Sequence, residues 1–359
     1  MLTTGSQQLT CTPLNTRTIK MPRSQIAPKP SQLPRGIFCP VVSLYKKSQR
    51  QEVDLEASYK YFVHLIRGGC HGLVLAGSTA EAVLLSPSEK QDLLKVARKA
   101  ALSLGAQNYP LVAGISGQST NESIRLANEA AEAGADFGLL LPPSYWAKAV
   151  SKDVIVDFYQ EVADLSPIPV VIYNFPGVTA GIDLNSDVIS ELAKHPNIVG
   201  VKLTCANAGK VTRLTEEYSH EQFAVYAGQS DWLLPCLVGK GAGCVTGIGN
   251  VFPKSVCKLF SLWEEGKVRE ATDLQGIVAQ AEKACKEGIA ATKYGAGYFA
   301  GPPAGVTEPE NFWPRKPYKP LGKDKQKWVV DVMGVLADYE KSLPDKYASK
   351  QASETVNGH

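Results

Sequence analysis

From Gly36 onward, short apolar runs alternate with longer stretches whose apolar residues recur at helical spacing. The apolar runs are Gly36–Ser43, Gly72–Ala76, Pro110–Ile115, Asp136–Leu141, Pro169–Asn174, Ile198–Leu203, Phe223–Ala227 and Gly243–Ile248, and they read as buried strands. Between them, Asp54–Gly69, Pro87–Leu104, Asn121–Ala133, Val154–Leu165, Asn185–Lys194, Asn207–Tyr218 and Asp231–Val238 read as helices. Several open on a start signal. Ser86-Pro87-Ser88-Glu89 places a serine at the cap and a proline in the first turn. Ser119-Thr120-Asn121 and Asp183-Leu184-Asn185 are similar, and Pro167 and Pro169 stop a helix before its strand.

Strand then helix, eight times over, predicts an α/β fold of the (β/α)8 TIM-barrel type. The rival is a doubly wound open sheet, but no G-x-G-x-x-G follows the first strand. Gly239, Gly241 and Gly243 come late and precede a strand, which points to close packing rather than a phosphate loop. Beyond the eighth run, Lys254–Glu264, Val268–Lys286, Gly288–Tyr298 and Asp324–Tyr339 read as helices, interrupted by the proline-rich connection Pro302–Pro320. The expected division is a disordered N-terminal tail over 1–35, the barrel over 36–250, a C-terminal helical extension packed on the barrel over 251–343, and a disordered tail over 344–359.

Charge and composition narrow the function. The 38 basic and 35 acidic residues of the 359 nearly cancel, so no nucleic-acid groove or polybasic membrane patch is expected. No apolar run approaches the ~18 residues of a membrane span. The 8 cysteines and 5 histidines are scattered, without C-x-x-C or zinc spacing, so no metal is expected and a reducing compartment is. G-x-S-x-G, H-E-x-x-H and Walker sequences are also absent. No Asp or Glu occurs before Glu52. An acid-free start suits a mitochondrial transit peptide, but its prolines break an amphipathic helix, so a cytoplasmic location is expected and a mitochondrial one is the alternative.

In a barrel of this kind the working face lies at the C-terminal ends of the strands. Lys202 ends the sixth apolar run, and Tyr173 stands where the fifth stops. A lysine at the mouth of an apolar strand costs solvation unless its amine is neutral or paired, and a neutral amine attacks carbonyls. Neighbouring strands lie ~4.8 Å apart, so a phenol and an amine at consecutive strand ends are able to share one substrate. Gly77-Ser78-Thr79, after the second run, offers two hydroxyls and exposed N–H groups as a carboxylate cradle. Glu81 reads as a structural hydrogen-bonding residue.

These motifs resemble those of the dihydrodipicolinate synthase / N-acetylneuraminate lyase family of pyruvate-handling class I aldolases. The resemblance runs from about Gly36 to Tyr298. It rests on Gly77-Ser78-Thr79-Ala80-Glu81, Pro143-Ser144-Tyr145, Tyr173-Asn174-Phe175-Pro176, Gly200-Val201-Lys202 and Asn250-Val251-Phe252-Pro253. It implies that Lys202 forms the imine and Tyr173 moves the proton. It also implies that Ser78 and Tyr145 extend a hydroxyl relay, with Tyr145 reaching a neighbouring subunit's site. Gly77 and Thr79 would hold the carboxylate, and the Val245 carbonyl would face the substrate. A 2-oxo acid substrate, no cofactor and a homotetramer are implied as well.

The departures bear on substrate. Where the synthases carry an arginine for aspartate semialdehyde, this chain reads Gly177-Val178-Thr179-Ala180-Gly181, without a cation. Lysine biosynthesis is therefore not expected. Tyr173–Val178 and Val201–Cys205 look like fungal L-threo-3-deoxy-hexulosonate aldolases, whereas Val162–Val171 looks like 4-hydroxy-2-oxoglutarate aldolases. The leading expectation is cleavage of 2-keto-3-deoxy-L-galactonate to pyruvate and L-glyceraldehyde, a step of D-galacturonate degradation. Cleavage of 4-hydroxy-2-oxoglutarate to pyruvate and glyoxylate is the alternative. A synthase-like or hydratase-aldolase reaction and a non-catalytic barrel stand further off.

Overall fold

The computed structural model describes residues 31–346. Eight parallel strands close into a barrel in chain order. They are β1 (Gly36–Pro40), β2 (Gly72–Leu75), β3 (Leu111–Gly114), β4 (Phe137–Leu140), β5 (Val170–Asn174), β6 (Ile198–Leu203), β7 (Ala224–Ala227) and β8 (Gly243–Val245). Each coincides with one of the eight apolar runs. Pairing of Gly36, Ile37 and Phe38 with Gly243, Cys244 and Val245 closes the ring. Asn250 fastens that seam, accepting from Val42 N (3.0 Å) and donating to Pro40 O (2.9 Å).

The helices alternate with the strands: α1 (Leu55–Arg67), α2 (Pro87–Ser103), α3 (Thr120–Glu132), α4 (Lys152–Leu165), α5 (Ser186–Ala193), α6 (Ala208–Glu217), α7 (Leu233–Val238) and α8 (Pro253–Glu264). Their starts follow the side-chain chemistry. Ser86 accepts from Glu89 N while the Glu89 carboxylate reaches back to Ser86 N, a reciprocal cap on α2. Ser119 and Asn185 cap α3 and α5 in the simpler one-sided way.

Two apolar cores result. The larger fills the space between strands and helices. The smaller occupies the barrel interior and includes Phe38, Val74, Val112, Leu139, Val171, Tyr173, Val199, Tyr226 and Val245. The end of the expected N-terminal tail is instead part of this interior. Leu33 is buried there, and the Tyr226 hydroxyl donates to the carbonyls of Leu33 (3.0 Å) and Pro34 (2.5 Å). Residues 1–30 and 347–359 of the expected tails lie outside the described residues.

The C-terminal extension continues with α9 (Val268–Glu282), α10 (Ile289–Gly295), α11 (Gly301–Ala304), α12 (Lys323–Met333) and α13 (Ala337–Ser342). The single helix expected over Asp324–Tyr339 is two, joined by the tight turn Gly334–Leu336. Glycine is a poor helix former, and the chain changes winding there. No helix among the described residues is long and apolar enough to cross a membrane.

Candidate active site

The geometry of the site begins with a mismatch between two strands. Val170 pairs with Ile198, but Val171 pairs with Gly200, so Val199 is an extra residue in β6. Such a bulge reverses which face the following residues present. Val199 faces the barrel interior and Val201 the helices, although both have odd numbers. The inversion turns Lys202 inward. Gly200 is required at the bulge, because a Cβ there would lie 2.6 Å from Ala224 O on β7.

Beyond the bulge, Tyr173 and Lys202 are direct register partners. Both side chains are buried at the rim. The Lys202 Nζ rests 4.1 Å from the centroid of the Tyr173 ring, which stacks on Phe175. The amine therefore meets the face of the ring, a cation–π geometry. Among the described residues no carboxylate forms an ion pair with Lys202, unlike the other buried lysines Lys210 and Lys293.

Tyr173 lines a cavity of about 950 Å³ together with Gly77, Ser78, Leu139, Ser144 and Val178. Thr79 is half-buried on the same tight turn as Ser78. Val245 is buried in the barrel interior. Tyr145 stands apart, 78% exposed, edge-on to Trp146 and away from the lining of this chain's cavity. The structure thus brings Lys202, Tyr173, Gly77, Ser78, Thr79 and Val245 to one end of the barrel and leaves Tyr145 on its surface. Glu81 is buried and bonded on both carboxylate oxygens, to Lys293 Nζ and Arg315 N.

Three neighbours were not expected from sequence. Thr204 follows Lys202 by two residues, and its Oγ1 is buried without a hydrogen-bond partner. The strand period of two was the available signal. Gly228 lets it approach, since a Cβ there would lie 2.1 Å from that oxygen. Glu282 on α9 is buried beside the seventh and eighth strand ends. It accepts from Ser230 N (2.7 Å), Ser230 Oγ (2.5 Å) and Thr246 Oγ1 (2.7 Å), and burial raises its pKa. Asn174, next to Tyr173, donates to Asp183 (2.7 Å) and accepts from Leu184 N (2.9 Å), tying the following loop back to the strand end. Neither Glu282 nor Asn174 lines the cavity, and their bonds tie the rim together.

Comparison with known proteins agrees with the closed barrel and with the family resemblance. Residues 33–334 match the model of the dihydrodipicolinate synthetase family. A relative from Coccidioides immitis (strain RS), provisionally named a mitochondrial 4-hydroxy-2-oxoglutarate aldolase, is 44% identical over 310 residues, which is 86% of this chain and 97% of that protein. An Aspergillus niger protein named L-threo-3-deoxy-hexylosonate aldolase is 34% identical over 340 residues, again 86% of this chain and 97% of its own. A crystal structure of a dihydrodipicolinate synthase family protein from Coccidioides immitis superimposes with a TM-score of 0.80 at 41% identity, covering 88% of this chain and 99% of that one.

Proposed function

This chain belongs to the dihydrodipicolinate synthetase family as a carbon–carbon lyase, and we propose that it cleaves 4-hydroxy-2-oxoglutarate to pyruvate and glyoxylate through an imine on Lys202. The observation that carries this is the buried, carboxylate-free amine of Lys202, held 4.1 Å from the Tyr173 ring at the mouth of a closed barrel. A lysine amine held at the mouth of the barrel, with no carboxylate occupying it, is placed to attack a carbonyl.

Ser78 and Thr79, with the N–H groups of their turn, hold the C1 carboxylate. Lys202 attacks C2 and water leaves, giving an iminium. Tyr173 takes the proton of the C4 hydroxyl, and the C3–C4 electron pair passes into the iminium, so the C4 aldehyde departs as glyoxylate. The enamine then gains a proton at C3, and water releases pyruvate and the free amine. Tyr145 completes the relay from an adjoining subunit of a homotetramer.

Sequence alone favoured a hexulosonate, and the relatives shift the balance. The 44% identity to the aldolase of the dicarboxylic substrate exceeds the 34% to the sugar-acid enzyme at equal coverage. The cavity wall carries charge of both signs, with Lys90 and Arg125 on α2 and α3 beside Glu122 and Glu287, although the stretch 177–181 supplies no cation. One observation keeps cleavage of 2-keto-3-deoxy-L-galactonate as a second reading. Val178 lines the cavity as an apolar wall, which suits an uncharged aldehyde. The mitochondrial designation of the Coccidioides immitis relative and the acid-free start before Glu52 support the mitochondrion as the site of action.

Incubation with pyruvate, reduction with borohydride and peptide mass analysis test the imine. An adduct on Lys202, lost in Lys202→Ala, is expected, and an unmodified Lys202 would sink the mechanism. Specificity constants for the two substrates then decide between the readings, with 4-hydroxy-2-oxoglutarate expected to be the faster.

A further inference from the structure

The turn that carries Ser78 and Thr79 is held from outside the barrel. Two non-glycine residues in the left-handed region bracket it, Ala76 at φ +49° and Glu81 at φ +57°. Such backbone persists only where its surroundings over-determine it. Here the surroundings come from three segments. Ser43, beyond β1, donates from Oγ to Ala80 O (2.7 Å). Lys293 on α10 donates to Glu81 Oε2 (2.7 Å), and Arg315 N, in the connection after α11, donates to Glu81 Oε1 (2.7 Å). Lys293 Nζ and the Arg315 guanidinium both rest on the ring of Tyr45, at 4.3 and 4.7 Å from its centroid. The guanidinium is itself occupied by Glu89 and the carbonyls of Leu84 and Gln51. Lys293 is fully buried, and its one ion pair among the described residues is with the Glu81 carboxylate.

We propose that Lys293 is a positioning residue for substrate: its ammonium, acting through Glu81, holds Ser78 and Thr79 in the conformation that binds the carboxylate of a 2-oxo acid. The C-terminal extension thereby sets the affinity of the cradle through a residue that does not itself line the cavity. This rests on the assignment of the Ser78–Thr79 turn as the carboxylate cradle.

The arrangement makes binding sensitive to pH. The charged and titratable groups that face Lys293 are Glu81 from the turn after β2, Arg315 from the connection and Tyr45 from the segment after β1. Burial pulls the Lys293 amine down to about 8; Glu81 opposes that fall and Arg315 adds to it. Burial pushes the Tyr45 hydroxyl up, so it stays neutral. As the pH rises through about 8, Lys293 loses its charge and Glu81 is left as a buried carboxylate without its cation. The turn then loses its anchor, and binding weakens on the alkaline side.

The test is the pyruvate concentration that half-saturates borohydride trapping at Lys202, measured from pH 6.5 to 9.5 in the full chain and in Lys293→Arg and Lys293→Met. In the wild type the half-saturating concentration should climb through pH 8. Arginine keeps its charge throughout, so Lys293→Arg should stay flat across that range. Lys293→Met should need about 10-fold more pyruvate at pH 7, the loss expected for a charged hydrogen bond, with an adduct of the same mass. Should Lys293→Met fail to fold, the comparison of wild type with Lys293→Arg still decides. Identical pH profiles in those two proteins overturn the proposal while leaving the imine intact. Absence of any adduct in the wild type removes the imine reading, and this proposal with it.

Discussion

At the scale of single residues, two side chains carry opposite lessons. Tyr173 shows how little has to change to stop a proton. Tyr173→Phe keeps the ring on which the Lys202 amine rests, at 4.1 Å, and removes only the hydroxyl. Trapping of pyruvate should persist while cleavage falls by ~10²–10⁴, the usual worth of a positioned acid–base group. Equal losses of trapping and cleavage would mean that the phenol supports imine formation instead. Thr204 offers a two-sided forecast. Its buried, unpartnered hydroxyl costs folding free energy, so the isosteric Thr204→Val should raise the melting temperature. If that oxygen meets the substrate's C4 hydroxyl, the same variant should cleave about 10-fold less efficiently, the order of one lost hydrogen bond to substrate. Greater stability with unchanged turnover would confine the residue to packing.

At the scale of elements, the eight strands were legible because each is an apolar run cut off by glycine, proline or a capping residue. Ser86, Ser119 and Asn185 mark helix starts in the sequence and cap helices in the structure. The identity of Lys202 and Tyr173 was legible for the same reason, since a polar residue ending an apolar run stands out. What was not legible is why Lys202 faces the barrel interior. A strand buried on both faces carries no alternation, so the extra residue Val199 leaves no mark in the pattern. The clamp on Glu81 was equally silent, because Lys293 is 212 positions away and sits in an ordinary helical stretch. Gly200→Ala tests the bulge. Its Cβ would come within 2.6 Å of Ala224 O and 3.3 Å of Ala224 Cβ, and neither strand has room to yield inside a closed barrel. A loss of about 1–3 kcal/mol in denaturant unfolding is expected, with trapping at Lys202 slowed as the amine is displaced. Unaltered stability and trapping would show that β6 tolerates another register.

At the scale of the whole molecule, one face of the barrel leaves large apolar side chains open. Val83, Tyr145 and Trp146 expose 90%, 78% and 75% of their surface, far more than such side chains leave open in a finished assembly. Burying each fully against another copy would contribute roughly 1.5–3 kcal/mol, enough together to favour association. If Tyr145 serves a neighbour's cavity, two inactive variants should repair one another. A Tyr145→Ala chain keeps its own Lys202, and a Lys202→Ala chain keeps the tyrosine that its neighbour lacks. Across a two-fold interface, random mixing makes half the pairs hybrid, and each hybrid holds one whole site. The mixture should therefore recover about a quarter of wild-type activity per site, given that the contact is isologous. Activity no greater than that of the separate variants would place Tyr145 outside the relay and make the single barrel sufficient for catalysis.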